Sequence, residues 1–465
     1  MAGLGYSLPG TTIEEVTQPQ SVNISSSQRT PCFIGVASTT IQVNYEAVIR
    51  SSTGTDNLVY SSSGVTSVTQ IGTQKGLKDI IAVTDYSLVA NQIVLTSAGQ
   101  VKIASGATYY VSYKYTRAYD GSNLTNVTLN DYRYKTFTNF EDVQADLGDN
   151  IPANPLVMIA YLALRVYNVP QIAVVQVYTD DTNGYTNALS LIKERDVQTV
   201  CLLNSAANIR SLLVTHVNER SIPDNGKWRM GWTGAPAATV IGDNTNANSI
   251  RGIAYNLLNE RMVMVNATRA KYYYTDPTTL TETYTTVDGA FIAAACAAYR
   301  DSFSYAATNL LNKTVAGLAL FTEDFDDYYA DNMLTMAGSS SVFLLGLGTS
   351  GALVVMDDLT TDNSTVARNN INVITAKDFI AKDVVIQMNR TFKGKLILDR
   401  SSFTTTVNAY LATMFSVYKN AGIIESVGTL TATLDATDGT KMHIFYSYVP
   451  VYGLKHIEGT FALTL

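Results

Sequence analysis

The chain changes its pattern of apolar and polar residues twice along its length. Between residues 43 and 134, apolar and polar residues alternate in short runs that Gly and Ser interrupt, which predicts strands. Within this region Tyr109, Val111, Tyr113 and Tyr115 occupy every second position and would share one face. No stretch here keeps a helical period, so the pattern predicts a small all-β unit.

A helical pattern begins at Pro155, and strand and helix patterns alternate after it. An apolar stripe at helical spacing follows Pro155, and proline is tolerated in the first turn of a helix. The alternation predicts strands at 172–178, 199–203, 227–232 and 262–266, and helices at 185–194, 208–219, 249–260 and 290–300. Such alternation is typical of an α/β layer with a mostly parallel sheet.

The last third of the chain mixes the two periods. It predicts strands at 342–345, 352–356 and 372–375, helices at 378–388 and 407–421, and closing strands at 441–449 and 454–463. This order is typical of an α+β unit. A strand at the very end of a chain is ordered only when it pairs with something.

Together the patterns predict an α+β multidomain protein with an α/β core, N- and C-terminal strand arms, an α/β middle domain and an all-β insertion. Residues 1–40 are predicted to form the N-terminal arm and the first core strand, which is buried over residues 30–37. The further parts are an insertion domain at 41–135, a middle domain at 136–307, and a C-terminal α+β core at 308–465.

The composition is poor in charge. Asp, Glu, Lys and Arg make up 15% of the 465 residues, against about 25% in an average soluble protein. Thr, Ser, Asn and Tyr must therefore complete the surface, and 29 Tyr stand against 2 Trp. Tyr is common both in strands and at protein interfaces, so composition leaves both explanations open. The net charge of −7, without a dense basic run, disfavours direct binding of nucleic acid.

Three cysteines, Cys32, Cys201 and Cys296, lie far apart in apolar surroundings. We expect them to be buried free thiols. The first residues lack the pattern of a secretory signal. The most apolar run, 342–356, is interrupted by glycines and is shorter than a membrane span, so no membrane insertion is expected.

Few residues suggest chemistry. Residues 346–351, GLGTSG, have the glycine spacing of dinucleotide-binding loops, but a strand pattern follows where that fold needs a helix, which favours a hairpin. His216, His443 and His456 have no second ligand at metal spacing. The acidic residues between 323 and 331 lack the spacing of a calcium-binding loop. We therefore predict no catalytic residue, no cofactor and no metal.

The two ends of the chain are more informative. Residues 7–19 contain Pro9 and Pro19 and show no helical pattern, and residues 456–465 alternate in a strand-like way. Extended segments of this kind can add a strand to the sheet edge of another subunit. The candidate inter-subunit residues are Pro9, Gly10, Ile13, Glu14, Glu15, Val16, Ile457, Glu458, Gly459, Thr460, Phe461 and Leu463.

The order of these segments resembles the tail sheath proteins of contractile-tailed bacteriophages. The similar motifs run through the whole chain: PGTTIEEV at 9–16, FIGVA at 33–37, DYSL at 85–88, YYVSY at 109–113, FED at 140–142, Gly148, NPL at 154–156, NML at 332–334 with Gly338, NNINV at 369–373, and YVPVYGLKHIE at 448–458. One motif departs from the family. Where the family often carries Arg-Thr-Leu after the glycine hairpin, this chain has DDLTT at 357–361.

The resemblance implies a structural subunit rather than an enzyme, in which residues 1–40 pack with the C-terminal core at 308–465. It implies a sheath of stacked hexameric rings around a tail tube, which contracts to drive the tube through the host envelope for genome delivery. The arms would interlock with neighbouring subunits, and the further partners would be the tail tube, baseplate and tail terminator proteins, without direct nucleic-acid binding or membrane insertion. Such a protein is a virion component that assembles in the host cytoplasm. A phage-derived bacteriocin or injection machine would use the same subunit, and the sequence does not separate these settings.

Two other classes of function stay open at this point. The Tyr- and Thr-rich β unit would suit a virion or cell-surface receptor-binding protein. The α/β layer and the glycine motif at 346–351 would suit a nucleotide-binding enzyme.

Overall fold

A computed structural model of the chain describes residues 29–453, except 38–39, 60–64, 90–91, 117–133, 178–179, 223–224, 241, 243–244, 276–280, 304–306, 322–340 and 348–351. The described residues fall into two compact units, one of residues 29–378 with residue 453, and one of residues 379–452. Both helices and strands occur, and the strands form several separate sheets. The predicted mixture of helix and strand is therefore confirmed, whereas the four domain boundaries stay predictions.

The strands are β1 (Pro31–Gly35), β2 (Thr40–Ile49), β3 (Thr55–Asn57), β4 (Val65–Gly72), β5 (Tyr86–Val89), β6 (Gln92–Leu95), β7 (Thr108–Thr116), β8 (Tyr134–Phe137), β9 (Ile172–Gln176), β10 (Thr199–Leu202), β11 (Met230–Thr233), β12 (Met262–Met264), β13 (Arg269–Thr275), β14 (Glu282–Asp288), β15 (Leu318–Ala319), β16 (Leu344–Leu347), β17 (Leu353–Asp357), β18 (Ile424–Leu434) and β19 (Met442–Pro450).

The helices are α1 (Ser97–Lys102), α2 (Phe140–Leu147), α3 (Pro155–Tyr161), α4 (Thr182–Ile192), α5 (Ala207–Arg220), α6 (Ile250–Leu257), α7 (Gly289–Asp301), α8 (Val366–Asn369), α9 (Ile371–Phe392) and α10 (Arg400–Asn420). A π-helical turn, Leu162–Val166, continues α3.

Six strands form the largest sheet, in the order β12-β11-β10-β1-β9-β8. All neighbours are parallel except the edge strand β8, which is antiparallel to β9. The strands β1, β9, β10 and β11 are buried along their whole length, as expected for a parallel sheet that is covered on both faces. The predicted, mostly parallel α/β layer is confirmed. Strand β1 belongs to this sheet, so residues 31–35 lie in the same sheet as the strands between residues 172 and 264.

The predicted helices of this layer also form, and local capping explains where they begin. Asp181 accepts a hydrogen bond from the Gly184 N–H at 2.8 Å, and Asp288 accepts one from Phe291 N–H at 3.1 Å. Pro155 occupies the first turn of α3. Helix α7 is buried on nearly every side, which its run of small alanines allows.

The strands between residues 40 and 116 form two small sheets, ordered β2-β7-β4 and β3-β6-β5. Tyr109, Val111 and Tyr113 are fully buried on one face of β7, as the alternation predicts. The region is not entirely β, however, because α1 follows β6. Thr96 caps this helix by accepting a hydrogen bond from Gly99 N–H at 3.2 Å, and six residues are too few to show a helical period in the sequence.

One predicted strand of the last third is wrong. Residues 372–375 lie in helix α9, although Ile, Val and Thr favour strands. Ile371 and Ile374 are buried one helical turn apart, and the Thr375 hydroxyl donates to the Ile371 carbonyl at 3.0 Å. Burial of one helical face therefore outweighs the local propensity. The strand predicted at 454–463 lies outside the described residues.

The three cysteines are buried and unpaired, which confirms the prediction. Burial raises the pKa of the Cys32 thiol to about 12, and nearby Arg229 only partly opposes this rise. The thiols are therefore protonated packing groups at neutral pH.

Candidate assembly surface

The predicted arm residues lie outside the described residues. These are Pro9, Gly10, Ile13, Glu14, Glu15, Val16, Ile457, Glu458, Gly459, Thr460, Phe461 and Leu463. Their place in subunit contacts stays a prediction. The described residues nevertheless include the point where the N-terminal segment joins the sheet, and a hairpin close to the C-terminal segment in sequence.

The N-terminal segment is fixed to the sheet at Arg29 and Thr30. The Arg29 guanidinium, 6% exposed, pairs with Asp301 at 3.0 Å (Nε to Oδ1), and its Nη2 donates to the Gln198 carbonyl at 3.0 Å. The Thr30 N–H donates to Gln198 Oε1 at 2.8 Å. Burial raises the pKa of the Asp301 carboxyl, whereas Arg29 and a hydrogen bond from Thr199 lower it. The first described residues are thus bonded firmly to the α/β sheet.

In the unit of residues 379–452, helix α10 packs against the antiparallel hairpin of β18 and β19. Asn408 on the helix bonds the backbone of Ala432 twice. Its Oδ1 accepts from the Ala432 N–H at 2.7 Å, and its Nδ2 donates to the Ala432 carbonyl at 3.3 Å. One amide side chain therefore satisfies both polar backbone groups of a strand residue and fixes the helix to β18.

An aromatic cluster supports the same contact. The ring of Phe415 lies 5.3 Å from that of Tyr418 and 5.2 Å from that of Tyr446 on β19. The buried Tyr418 hydroxyl donates to Asp383 Oδ2 at 2.6 Å. Burial and the neighbouring Asp383 both raise the Tyr418 pKa well above its ordinary value. The hairpin therefore rests on a rigid helical support.

We call the pair of β18 and β19 the open hairpin, because within the described residues its sheet has two strands and each strand has an outer edge. Phe445 and Val449, four residues apart on one face of β19, are 60% and 44% exposed. A strand edge beside exposed apolar side chains is a surface suited to adding a strand from another chain.

The described part of the glycine motif, residues 346–347, lies in a strand. Gly346 lies in β16, which runs antiparallel to β17, and its partner across the ladder is Val354. A phosphate-binding loop needs a helix after the glycines, and a strand follows here. The hairpin interpretation is confirmed. The glycine spacing therefore no longer supports the nucleotide-binding hypothesis.

The two described histidines are each hydrogen-bonded to a charged side chain. His216 is buried in α5, where it is hydrogen-bonded to Arg229, and burial together with Arg229 lowers its pKa to about 3. His443 lies on β19 with Nε2 2.8 Å from Asp435 Oδ2. No group of three His, Cys, Asp or Glu that could hold a metal occurs among the described residues. His456 and the acidic residues between 323 and 331 lie outside them.

Sequence reasoning missed β18, half of the open hairpin. Its second half, TLTATL at 429–434, does alternate, and Gly422 just before the strand has a φ of +71° typical of a helix end. This alternation of apolar and polar residues is typical of a strand and could have identified β18. The hairpin of β13 and β14 was missed as well, although it carries the Tyr-rich sequence YYYT.

The described helices include none with the length and apolarity that crossing a bilayer requires. No family model matches the chain, and no curated protein matches it either.

Solved structures do match. The helical sheath of the anti-feeding prophage (AFP) in its contracted state is similar with a TM-score of 0.52 and 12% identity, over 98% of this chain and 99% of that chain. The sheath complex of an extracellular contractile injection system, PVC, in its contracted state gives 0.51 and 12%, over 73% and 89%. A chain of the contracted AFP baseplate gives 0.51 and 12%, over 75% and 92%. The resemblance to sheath proteins is therefore confirmed at the level of the fold.

Proposed function

We propose that this protein is the structural subunit of a contractile tail sheath. In this proposal it polymerises as stacked hexameric rings around a tail tube, and the sheath contracts to drive the tube through a cell envelope for genome delivery. The observation that carries the proposal is the match over nearly the full length of both chains to a sheath subunit from a contracted assembly. No chemistry by the subunit is required, so it is not an enzyme.

The open hairpin supports a mechanism for assembly. The segments 9–16 and 457–463 of neighbouring subunits would add as strands to the outer edges of β18 and β19, where backbone hydrogen bonds give affinity. A contact between unlike surfaces that does not close on itself propagates as a helical tube. Because the arms continue into the folded units, the units could rotate while strand pairing persists, which is how a sheath can shorten without falling apart.

The further parts of the proposal concern its setting. The partners would be further copies of the chain, a tube protein, and the baseplate and terminator proteins that close the two ends. The subunit would assemble in the host cytoplasm and become part of the virion tail. A bacteriocin or injection machine derived from a phage would assemble from such a subunit, and contract, in the same way.

The proposal is tested by electron microscopy of the purified protein and of a variant lacking residues 1–19. We expect tubes or rings from the full chain, and a folded monomer that does not polymerise from the shortened one. Circular dichroism and thermal melting of the shortened variant serve as the control for folding. Long tubes formed by the shortened variant would contradict the arm mechanism, and a full chain that stays monomeric at all concentrations would contradict the sheath role.

A further inference from the structure

A pocket of about 300 Å³ lies where helices α2 and α3 meet the hairpin of β13 and β14. It lies wholly within the unit of residues 29–378. Its volume is at the lower end of the range for small-molecule sites, about 300–1,000 Å³, and is suited to a single ring. The assembly mechanism proposed above does not use this pocket.

Aromatic rings form the apolar part of the lining. Phe140 is buried, and its ring meets that of Tyr161 edge to face, with centroids 5.1 Å apart. Tyr273 and Tyr274 on β13 also line the pocket, and the Tyr273 ring lies 5.9 Å from that of Tyr284 on β14. These ring contacts hold the wall in place without a ligand. Such a wall can pack against the C–H groups of a bound ring.

The loop after α2 is also fixed before a ligand arrives. The Asp149 carbonyl accepts hydrogen bonds from Asn154 Nδ2 at 3.2 Å and from the Ile151 N–H at 3.0 Å, and Asn154 is fully buried. Asn150 Oδ1 accepts from the buried Tyr272 hydroxyl at 2.8 Å. The Asn150 amide is thereby oriented, and its Nδ2 is left with N–H groups to donate.

The polar lining offers both hydrogen-bond donors and acceptors. Gln144 Nε2 donates to Asp149 Oδ1 at 3.2 Å, which leaves Gln144 Oε1 as an acceptor. Lys114 Nζ pairs with Asp149 Oδ2 at 3.3 Å, so the charge of this carboxylate is already balanced. Glu282 is an exposed acceptor on β14, and none of the ion pairs among the described residues includes it. Asn150 Nδ2 is a donor beside these acceptors.

This mixture selects among classes of ligand. An ammonium group only donates hydrogen bonds and would leave the Asn150 donor unused. A carboxylate or phosphate only accepts, and Glu282 would repel it. A hydroxyl group both donates and accepts, so a ring that carries several hydroxyls can satisfy Asn150, Gln144 and Glu282 together.

We propose that this pocket binds one neutral pyranose sugar. The C–H groups of the sugar pack on the aromatic wall, while its hydroxyls bond Gln144, Asn150 and Glu282. A single small pocket of this kind binds weakly, but copies of it repeated along a polymer would act together on a polysaccharide. The inference goes beyond the sheath role and does not depend on it, because each chain carries a complete pocket.

Saturation-transfer NMR with the full chain tests the ligand class. The probes are the methyl pyranosides of glucose, galactose and mannose, and N-acetylglucosamine. We expect at least one of them to bind with a Kd of roughly 1 mM. Glucuronic acid and tetramethylammonium should bind at least about tenfold more weakly than that sugar. No transfer to any of the four sugars would overturn the inference, and tighter binding of tetramethylammonium would show a cation site instead.

Substitutions in the lining test the location. Gln144→Ala and Glu282→Gln change exposed side chains, so the fold should be kept, and each should weaken binding of the sugar about tenfold. Tyr273→Ala, which removes a ring that is 43% exposed, should weaken it by a similar factor.

The matched controls lie outside the pocket lining. They are Glu219→Gln on α5 and Tyr255→Ala on α6, where Tyr255 is 46% exposed, and they should change the affinity less than about twofold. Thermal melting of all five variants checks that they are folded. Binding that survives all three lining substitutions would place the sugar elsewhere and refute the proposal.

The end of a glycan and a free monosaccharide offer the same ring, and a further comparison separates these two sources. A methyl group on the anomeric oxygen imitates the link to a glycan. Binding of the methyl glycoside at least as tight as that of its free sugar supports a glycan end, whereas rejection of the methyl group supports a free monosaccharide. These measurements need no tubes, so a chain that binds sugar but never polymerises would contradict the sheath role alone.

Discussion

The ion pair at the root of the N-terminal segment leads to a prediction about stability. Arg29→Met removes the guanidinium but keeps much of the aliphatic length of the side chain. Asp301, 1% exposed, then lacks its nearest opposite charge, and the Gln198 carbonyl loses a donor. Removing one partner of a buried ion pair typically costs about 3–5 kcal/mol. Since a domain has only about 5–15 kcal/mol of stability in total, the loss of unfolding free energy should be readily measurable.

The effect should depend on pH in a defined direction. Burial already raises the pKa of Asp301, and Arg29 opposes this rise, so the pKa increases further in the variant. The folded variant then holds a proton more tightly than the unfolded chain does, and its stability falls as pH rises through the new pKa. The cost of the substitution should therefore be largest at high pH and should shrink as the pH is lowered through the raised pKa of Asp301.

The assay is urea unfolding of unassembled protein, followed by circular dichroism at pH 8.0, 7.0 and 5.5. Arg165→Met is the matched control, because Arg165 pairs with Glu141 on the surface, with the two side chains 52% and 62% exposed. That change should cost less than about 1 kcal/mol. Adding Asp301→Asn to Arg29→Met should recover part of the loss, because the buried Asp301 carboxylate that Arg29 had neutralised is then also removed. A cost below about 1 kcal/mol at pH 8, or a cost that grows towards pH 5.5, would refute the reasoning.

Three further predictions concern the packing of the chain. Tyr418→Phe removes the hydrogen bond to Asp383 and should lower the free energy of unfolding by about 1.5–3 kcal/mol in urea titrations. Gly234→Ala would bring a Cβ within 2.0 Å of the Gly289 carbonyl oxygen and should cost about 3 kcal/mol or more, whereas Gly439→Ala meets only a side-chain end at 3.4 Å and should be nearly neutral by thermal melting. A thiol-reactive dye should label no cysteine in the native protein and three after denaturation; fast labelling of native protein would contradict the described burial.

The α/β layer could be predicted closely because its signals are local. Strands β9 to β12 are short apolar runs, and two of the three helices between them, α4 and α6, begin at the capping residues Asp181 and Ser249. Predicted and observed bounds differ by only a few residues there. The alternation of strand and helix patterns is enough to predict a parallel sheet here. Two adjacent parallel strands must be joined by a crossover connection, which is usually a helix.

The errors lie where partners distant in sequence decide the outcome. Residues 372–375 have strand propensity, but the buried contacts of Ile371 and Ile374 keep them in α9. Strand β18 is defined by its pairing with β19 and by Asn408, which the sequence around residue 430 does not reveal. A groove lined by Phe392, Phe403, Leu434 and Met442 could not be predicted either, because α9, α10, β18 and β19 each contribute to it and meet only in the folded unit.

Strand β1 gives the sheet a mechanical role. It follows the N-terminal segment directly and pairs in parallel with β10 on one side and β9 on the other, over four residues each. A pull on the chain at Arg29, along the strand, loads the hydrogen bonds of both ladders at the same time, in shear. An edge strand would instead peel away one bond after another. The centre of the sheet is therefore a tensile anchor, and a load on the N-terminal segment passes into the whole α/β layer rather than into a single strand.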